Sequence, residues 1–171
     1  MGDFWVFGYG SLMWNPGFPV LESKPATLYG LHRSLCIHSW VHRGTKEDPG
    51  LVLGLDQGGA CKGMAMRVSG NNRDAVIEYL RERELVTNVY LECWRSVRLE
   101  DGTRVPALVY RVDRNHQQYA KGLSLDDQTE IVRHAKGGSG PNIEYVLSTV
   151  AAMREAGIKD HALEYISRKL A

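Results

Sequence analysis

Phe4-Trp5-Val6-Phe7-Gly8-Tyr9-Gly10-Ser11-Leu12 decides how the rest of the chain is read. From Phe4 to Tyr9 the residues are aromatic and β-branched, which suits a buried strand, and Gly10 ends it. The small residues of Gly8-Tyr9-Gly10-Ser11-Leu12 let the backbone turn sharply and bring main-chain N–H groups close to a ligand. Such a group of donors suits a carboxylate or a developing oxyanion. A tight turn that holds no ligand is the other reading. A dinucleotide loop is not supported, because Met13 stands at the third glycine position of GxGxxG and no βαβ unit follows. Ser11 lacks the GxSxG setting of a hydrolase nucleophile.

Beyond this strand, Asn15-Pro16-Gly17 signals a turn. Thr27 to His32 and Leu35 to Ser39 alternate as strands, and Glu47-Asp48-Pro49-Gly50 marks a loop. Leu51 to Leu55 and Cys61 to Val68 are two more strands joined by Gln57-Gly58-Gly59. A helix is expected from Arg73 to Glu84 with Asn72 at its N-cap. Tyr90 to Leu99 and Arg104 to Val112 flank Asp101-Gly102 as a hairpin. Helices follow over Leu125 to Ala135, Pro141 to Gly157 and Asp160 to Leu170. Strands without regular βαβ alternation, then helices, predict an α+β fold. The expected form is one domain over 1–171, a small mixed β-barrel with helices around it.

The 171 residues carry 43% apolar and 24% charged side chains, the make-up of an ordinary soluble globular chain. Twenty-one basic residues against twenty acidic ones leave a formal charge of +1, which gives no general attraction to nucleic acid or an anionic membrane. Cys36, Cys61 and Cys93 are odd in number and lack CxxC spacing, so a reducing, cytoplasmic setting is expected. The N-terminus has no basic stretch leading into an apolar one, and no apolar run approaches a membrane span. The histidines show no metal-ligand spacing, so no metal is expected.

The helix ending in Arg81-Glu82-Arg83-Glu84 carries the strongest chemical signal. At ~100° per residue, Val76, Ile77 and Leu80 form one apolar stripe, and Glu84 projects from it. Glu82 falls on the opposite, solvated face with Glu78. Burial would raise the Glu84 pKa toward the range a general base needs. The bland alternative is a Glu84 paired with Arg83 or another cation at the helix end. An acid at a helix C-terminus also opposes the macrodipole.

Lys136-Gly137-Gly138-Ser139-Gly140-Pro141-Asn142 is a Gly-rich loop feeding a helix, with Pro141 suited to N1. Asn142, Tyr145 and Thr149 share one helix face, which either lines a pocket or only caps the helix and leaves a partly exposed tyrosine. Arg43, in His42-Arg43-Gly44-Thr45, either clamps a carboxylate in bidentate fashion or pairs with Glu47 or Asp48.

Taken in order, Val6 to Trp14, His42-Arg43-Gly44-Thr45 with Pro49-Gly50-Leu51-Val52-Leu53, Tyr79 to Leu85, and Ser139 to Tyr145 resemble the ChaC-type γ-glutamylcyclotransferases. The resemblance covers nearly the whole chain. It implies a lyase that cleaves glutathione to 5-oxoproline and Cys-Gly without metal or other cofactor. It puts the γ-glutamyl group on Tyr9, Gly10, Ser11 and Leu12 and makes Glu84 the general acid/base. It also implies that Arg43, Tyr90 and Tyr145 contact this small-molecule substrate. Other γ-glutamyl amines or amino acids as substrates, and a non-catalytic γ-glutamyl-binding domain, remain as alternatives.

Overall fold

The computed structural model describes residues 2–85 and 87–171. The chain forms two compact units, one comprising residues up to Arg33 with Leu55–Asp113, the other Ser34–Gly54 with Arg114–Ala171. Among the described residues the main strands are β1 (Phe4–Gly8), β2 (Glu22–Ser39), β3 (Gly50–Val68), β4 (Tyr90–Leu99) and β5 (Arg104–Val112). They close into a barrel in the order β1-β3-β2-β4-β5. β1 runs antiparallel to β3, with Val6 opposite Met66, and parallel to β5, with Val6 opposite Leu108. The barrel is therefore mixed, as the α+β expectation requires.

Side chains alternate across the barrel wall, as strand geometry demands. Phe7, Ala65, Ala107 and Val109 join Leu28, Leu31, Leu55, Val97 and Leu99 in one buried cluster drawn from all five strands. Val6, Met66, Leu108 and Tyr110, one position out of phase, pack with Val76 and Leu80 of α1 (Arg73–Glu84) in a second cluster. The apolar stripe expected on this helix thus lies against the outer face of the barrel. Asn72 occupies the N-cap position but makes no side-chain cap bond. Ser69 instead caps the short 3₁₀ turn Gly70–Asn72 that leads into the helix.

β2 and β3 are each one long strand where two were expected. The interruption foreseen at Gln57-Gly58-Gly59 does not break β3: Gly58 and Gly59 take positive φ values of 100° and 66° inside it. Glycine enters that region without steric cost, so the chain bends and the strand continues. The Gly58 carbonyl lies 3.0 Å from His32 Nδ1. The hairpin of β4 and β5 has the bounds read from the sequence.

In the second unit, α2 (Leu125–His134), α3 (Asn142–Glu155) and α4 (His161–Leu170) pack together. Ser124 forms a capping box with Asp127 on α2, and Asp160 caps α4. Arg154 of α3 donates from Nε to Glu164 of α4 at 2.9 Å, and the Tyr165 hydroxyl donates to Asp126 at 2.7 Å. The Gly-rich segment forms a two-stranded hairpin, β6 (Lys136–Gly137) and β7 (Gly140–Pro141). Pro141 is the N-cap of α3 and not N1, so the helix begins one residue later than expected.

Asn142 is fully buried. Its Oδ1 accepts from Leu51 N–H at 2.8 Å and its Nδ2 donates to the Leu51 carbonyl at 2.9 Å. The amide thus completes a strand-like pair from a helix start, and packing, not a pocket, explains this residue. Asn142→Ala leaves both Leu51 groups buried and unpaired, at about 3 kcal/mol of stability for the two. Urea denaturation should show that loss, and a variant as stable as the parent would contradict the pairing.

Candidate active site

The residues singled out by sequence fall into two groups, one in each unit. In the first, the chain leaves β1 at Gly8 and enters a 3₁₀ turn over Ser11–Met13. Met13 N–H donates to the Gly10 carbonyl at 2.9 Å, and Asn15 N–H to the Ser11 carbonyl at 2.7 Å. A turn closed in this way does not use the N–H groups of Gly10, Ser11 and Leu12 in its own bonds. Its side chains fasten it down. Leu12 is buried in the cluster beneath α1, and Tyr9 packs against the barrel-interior cluster. The Ser11 side chain is exposed.

The end of α1 reaches back to this turn through Arg83. Its Nη2 donates to Ser11 Oγ at 2.9 Å. Its Nη1 donates to the carbonyls of Asn15 and Pro16 at 2.8 and 3.1 Å and to the Tyr79 hydroxyl at 3.2 Å. Gly17 completes the arrangement: at φ 79° a Cβ there would lie 2.1 Å from the Tyr79 hydroxyl. The loop is thus held against one helix by a single guanidinium and a close-packed phenol.

Glu84 follows directly. Its side chain keeps only 16% of its exposure, whereas Glu82 is exposed, as the helical spacing requires. Arg83 Nε stands 3.7 Å from Glu84 Oε1, an ion-pair distance but too long for a hydrogen bond. Both readings of Glu84 are therefore partly met: the pair exists, and the carboxylate is buried. Burial prevails. Desolvation pushes the Glu84 pKa above the ordinary 4.5, against the pull of Arg83.

A second carboxylate nearby is biased the other way. Glu92 on β4 accepts from Arg81 Nη2 at 2.9 Å and from the Tyr110 hydroxyl at 2.8 Å, and Arg81 chiefly lowers its pKa. Tyr110 is held firmly protonated, first by burial, then by Glu92, with the field of Glu84 adding to it. One glutamate with raised and one with lowered proton affinity is a common division of labour between a proton carrier and a fixed charge. Tyr90 is half-buried at the start of β4, and packs with Leu85 against the cluster that holds Leu12.

In the second unit, Arg43 Nη1 donates to the Pro141 carbonyl at 3.2 Å, and its guanidinium lies 5.7 Å from the centre of the Tyr145 ring. The Tyr145 hydroxyl accepts from Leu53 N–H at 3.0 Å. Asp48 closes a local turn with Thr45, the Asp48 N–H donating to Thr45 Oγ1 at 3.0 Å.

The structure thus links Tyr9 to Leu12 with Glu84 through Arg83 and packs Tyr90 into the same unit, while Arg43 and Tyr145 meet in the other. The clamp made by Arg83 and the Glu92–Tyr110 pair were not foreseen. Ser11, Asn15 and Pro16 lie 67 to 72 positions from Arg83 and leave no local trace, whereas Glu92 and Tyr110 stand directly opposite each other in the β4–β5 hairpin.

This barrel and its helices are shared with solved cyclotransferases. A crystal structure of selenomethionine-labelled γ-glutamyl cyclotransferase specific to glutathione from yeast superposes with a TM-score of 0.85 at 22% identity, over 99% of this chain and 96% of that one. The family model for ChaC-like proteins matches residues 4–170, and the chain belongs to that family. Among its relatives, the glutathione-specific γ-glutamylcyclotransferase of Escherichia coli K12 is 35% identical over 162 residues, 95% of this chain and 70% of that protein. The glutathione-specific γ-glutamylcyclotransferase 1 of Danio rerio is 36% identical over 158 residues, 89% of this chain and 80% of that protein.

A raised carboxylate pKa carries a stability signature. The folded state holds the Glu84 proton more tightly than the unfolded chain does. Its favourable contribution is complete below the unfolded pKa and is lost as pH rises through the folded one. Glu84→Gln, which keeps the shape without the charge, should therefore melt above the parent at pH 8, and the gap should close as pH falls below 4.5. Calorimetric melting at the two pH values checks this; a Gln variant less stable at pH 8 would contradict a buried, desolvated charge.

Proposed function

We propose that the chain is a glutathione-specific γ-glutamylcyclotransferase of the cytoplasm, forming 5-oxoproline and Cys-Gly, with Glu84 as the proton-transfer group. One observation carries the assignment of Glu84: a largely buried carboxylate of raised proton affinity, tied through Arg83 to the Tyr9–Leu12 turn. The names of the relatives support the substrate and the reaction. An odd number of cysteines without CxxC spacing supports a reducing compartment, and among the described residues no helix is long and apolar enough to cross a membrane.

The chemistry follows from the substrate. The α-amine nitrogen of the γ-glutamyl group attacks its own γ-carbonyl carbon, a C–N bond forms, and a five-membered tetrahedral intermediate results. The C–N bond to cysteine then breaks, and the departing nitrogen takes a proton. Both reacting groups belong to one molecule, so the protein's main task is to hold a folded, near-attack conformation. Glu84 as carboxylate accepts a proton of the α-ammonium and returns it to the leaving amine, while the second proton that the α-nitrogen sheds in becoming the lactam N–H passes to solvent. The N–H groups of Gly10, Ser11 and Leu12 are the donors assigned to the γ-glutamyl oxygens and to the oxyanion, at ~3 kcal/mol for each donor used. Tyr9 and Tyr90 are assigned to the walls around the glutamyl group. Arg43 and Tyr145 are assigned to substrate binding on the strength of the family motifs that contain them.

Glu84→Gln should keep the fold and lower kcat for glutathione by about 100-fold or more, the usual loss for a general acid/base. Glu82→Gln should stay within about twofold of the parent, because an exposed side chain on the far face touches none of this chemistry. The assay is simultaneous release of 5-oxoproline and Cys-Gly. Full activity in Glu84→Gln removes this residue from the mechanism. A different γ-glutamyl compound turned over in place of glutathione changes the substrate and leaves the mechanism standing.

A further inference from the structure

Arg33 is a buried cation that the mechanism above does not use. It lies on β2 between Leu31 and Leu35, and these three side chains, two residues apart, keep 3%, 5% and 2% of their exposure. They occupy one inward face of the strand. An arginine on such a face costs free energy unless its donors are matched. Two of those donors go to main-chain carbonyls: Nε to Tyr9 and Nη2 to Lys62, both at 2.6 Å.

The place where this happens is specific. The register of β1 with β3 ends at Gly8 opposite Met64. There the backbones are in contact, since a Cβ on Gly63 would lie 2.3 Å from the Gly8 carbonyl oxygen. Tyr9 and Lys62 lie just past that last pair. Arg33 thus joins the two chains where the ladder stops, and one of the two carbonyls belongs to the substrate turn.

Holding that carbonyl fixes more than a strand end. Tyr9 C=O and Gly10 N–H share one planar trans peptide, in which the two groups point in opposite directions. With the oxygen drawn to the guanidinium, the Gly10 N–H is directed away from it. We infer that Arg33 is a positioning residue that sets the Tyr9–Gly10 peptide plane and so aims the first N–H donor of the turn at the substrate. The role rests on the proposed use of this turn by a γ-glutamyl group. A lysine cannot replace it, because a single ammonium lacks the fork that spans two carbonyls.

A purely structural cap for the ladder would lower thermal stability and leave kinetics alone, so the test reads both. Arg33→Lys should fold, yet lose at least about tenfold in kcat for glutathione, less than the about 100-fold that removing an oxyanion donor costs because the donor is misaimed and not removed. The acid limb of its pH–rate profile should stay in place, because Glu84 is untouched. In carbonyl- and amide-detected NMR of the substrate-free variant, Tyr9 13C′ and Gly10 15N should shift more than the rest of the turn. In the parent protein, titration with 5-oxoproline should move the Gly10 amide resonance to saturation, a measurement independent of whether the variant folds. Parent kcat and KM in a folded Arg33→Lys would overturn the inference, as would a Gly10 amide indifferent to saturating 5-oxoproline. If the parent protein releases no 5-oxoproline from glutathione, the glutathione reading fails. The Tyr9 and Gly10 shifts in Arg33→Lys then decide the hold of Arg33 by themselves: present, they support it, and absent, they overturn it.

Discussion

A carboxylate forced out of water at the exit of α1 is the constraint around which the first unit is built. Glu84 stays there because Val76 and Leu80, on the same stripe, are buried against the barrel wall. The helix cannot rotate Glu84 into solvent without exposing them. Burying Leu80 alone is worth about 2 kcal/mol, and the stripe as a whole outweighs the cost of one poorly solvated charge. The barrel supplies the matching surface by alternation. Val6, Met66 and Leu108 face outward to the helix because Phe7, Ala65 and Ala107 face inward.

Arginines manage the polar consequences. Arg83 divides its donors between the turn and the phenol of Tyr79, and leaves Glu84 with attraction but no hydrogen bond. A shorter, bidentate pair would have driven the carboxylate pKa down, as Arg81 does for Glu92. A carboxylate with no cation beside it would have been more costly still to bury. The 3.7 Å spacing lies between these outcomes, and keeps Glu84 able both to take and to give a proton. Arg33 acts on the other side of the turn, on Tyr9. The segment between β1 and residue 17 is thereby fixed by two guanidinium groups, the buried Leu12 and the half-buried Tyr9, a rigid support for backbone donors.

Much of this was legible in the sequence, for identifiable reasons. The hairpin of β4 and β5 could be bounded because Asp101-Gly102 leaves little choice of turn. The face of α1 could be drawn because its apolar spacing is regular, and that drawing separated Glu84 from Glu82. β3 was divided in error because a glycine pair reads as a break, although positive φ at Gly58 and Gly59 allows a strand to bend and continue, and β2 was divided at Arg33-Ser34, which interrupt its apolar run. The sequence offers Asn142 only a pocket or a cap, because its pairing with Leu51 spans 91 positions and leaves no local trace. Arg33 did leave one: a cation at the centre of an alternating apolar run is a mismatch that asks for buried acceptors. The contacts of Arg83 with Asn15 and Pro16 could not be read, since only the folded chain brings them to the helix end.

The proton affinity of Glu84 is the quantity on which the account turns, and carboxyl 13C NMR of the substrate-free protein measures it directly. The account predicts a Glu84 titration midpoint clearly above 4.5, coinciding with the acid limb of kcat/KM for 5-oxoproline release. A midpoint at or below 4.5, or an acid limb that ignores it, would contradict the claim that this buried carboxylate moves the proton.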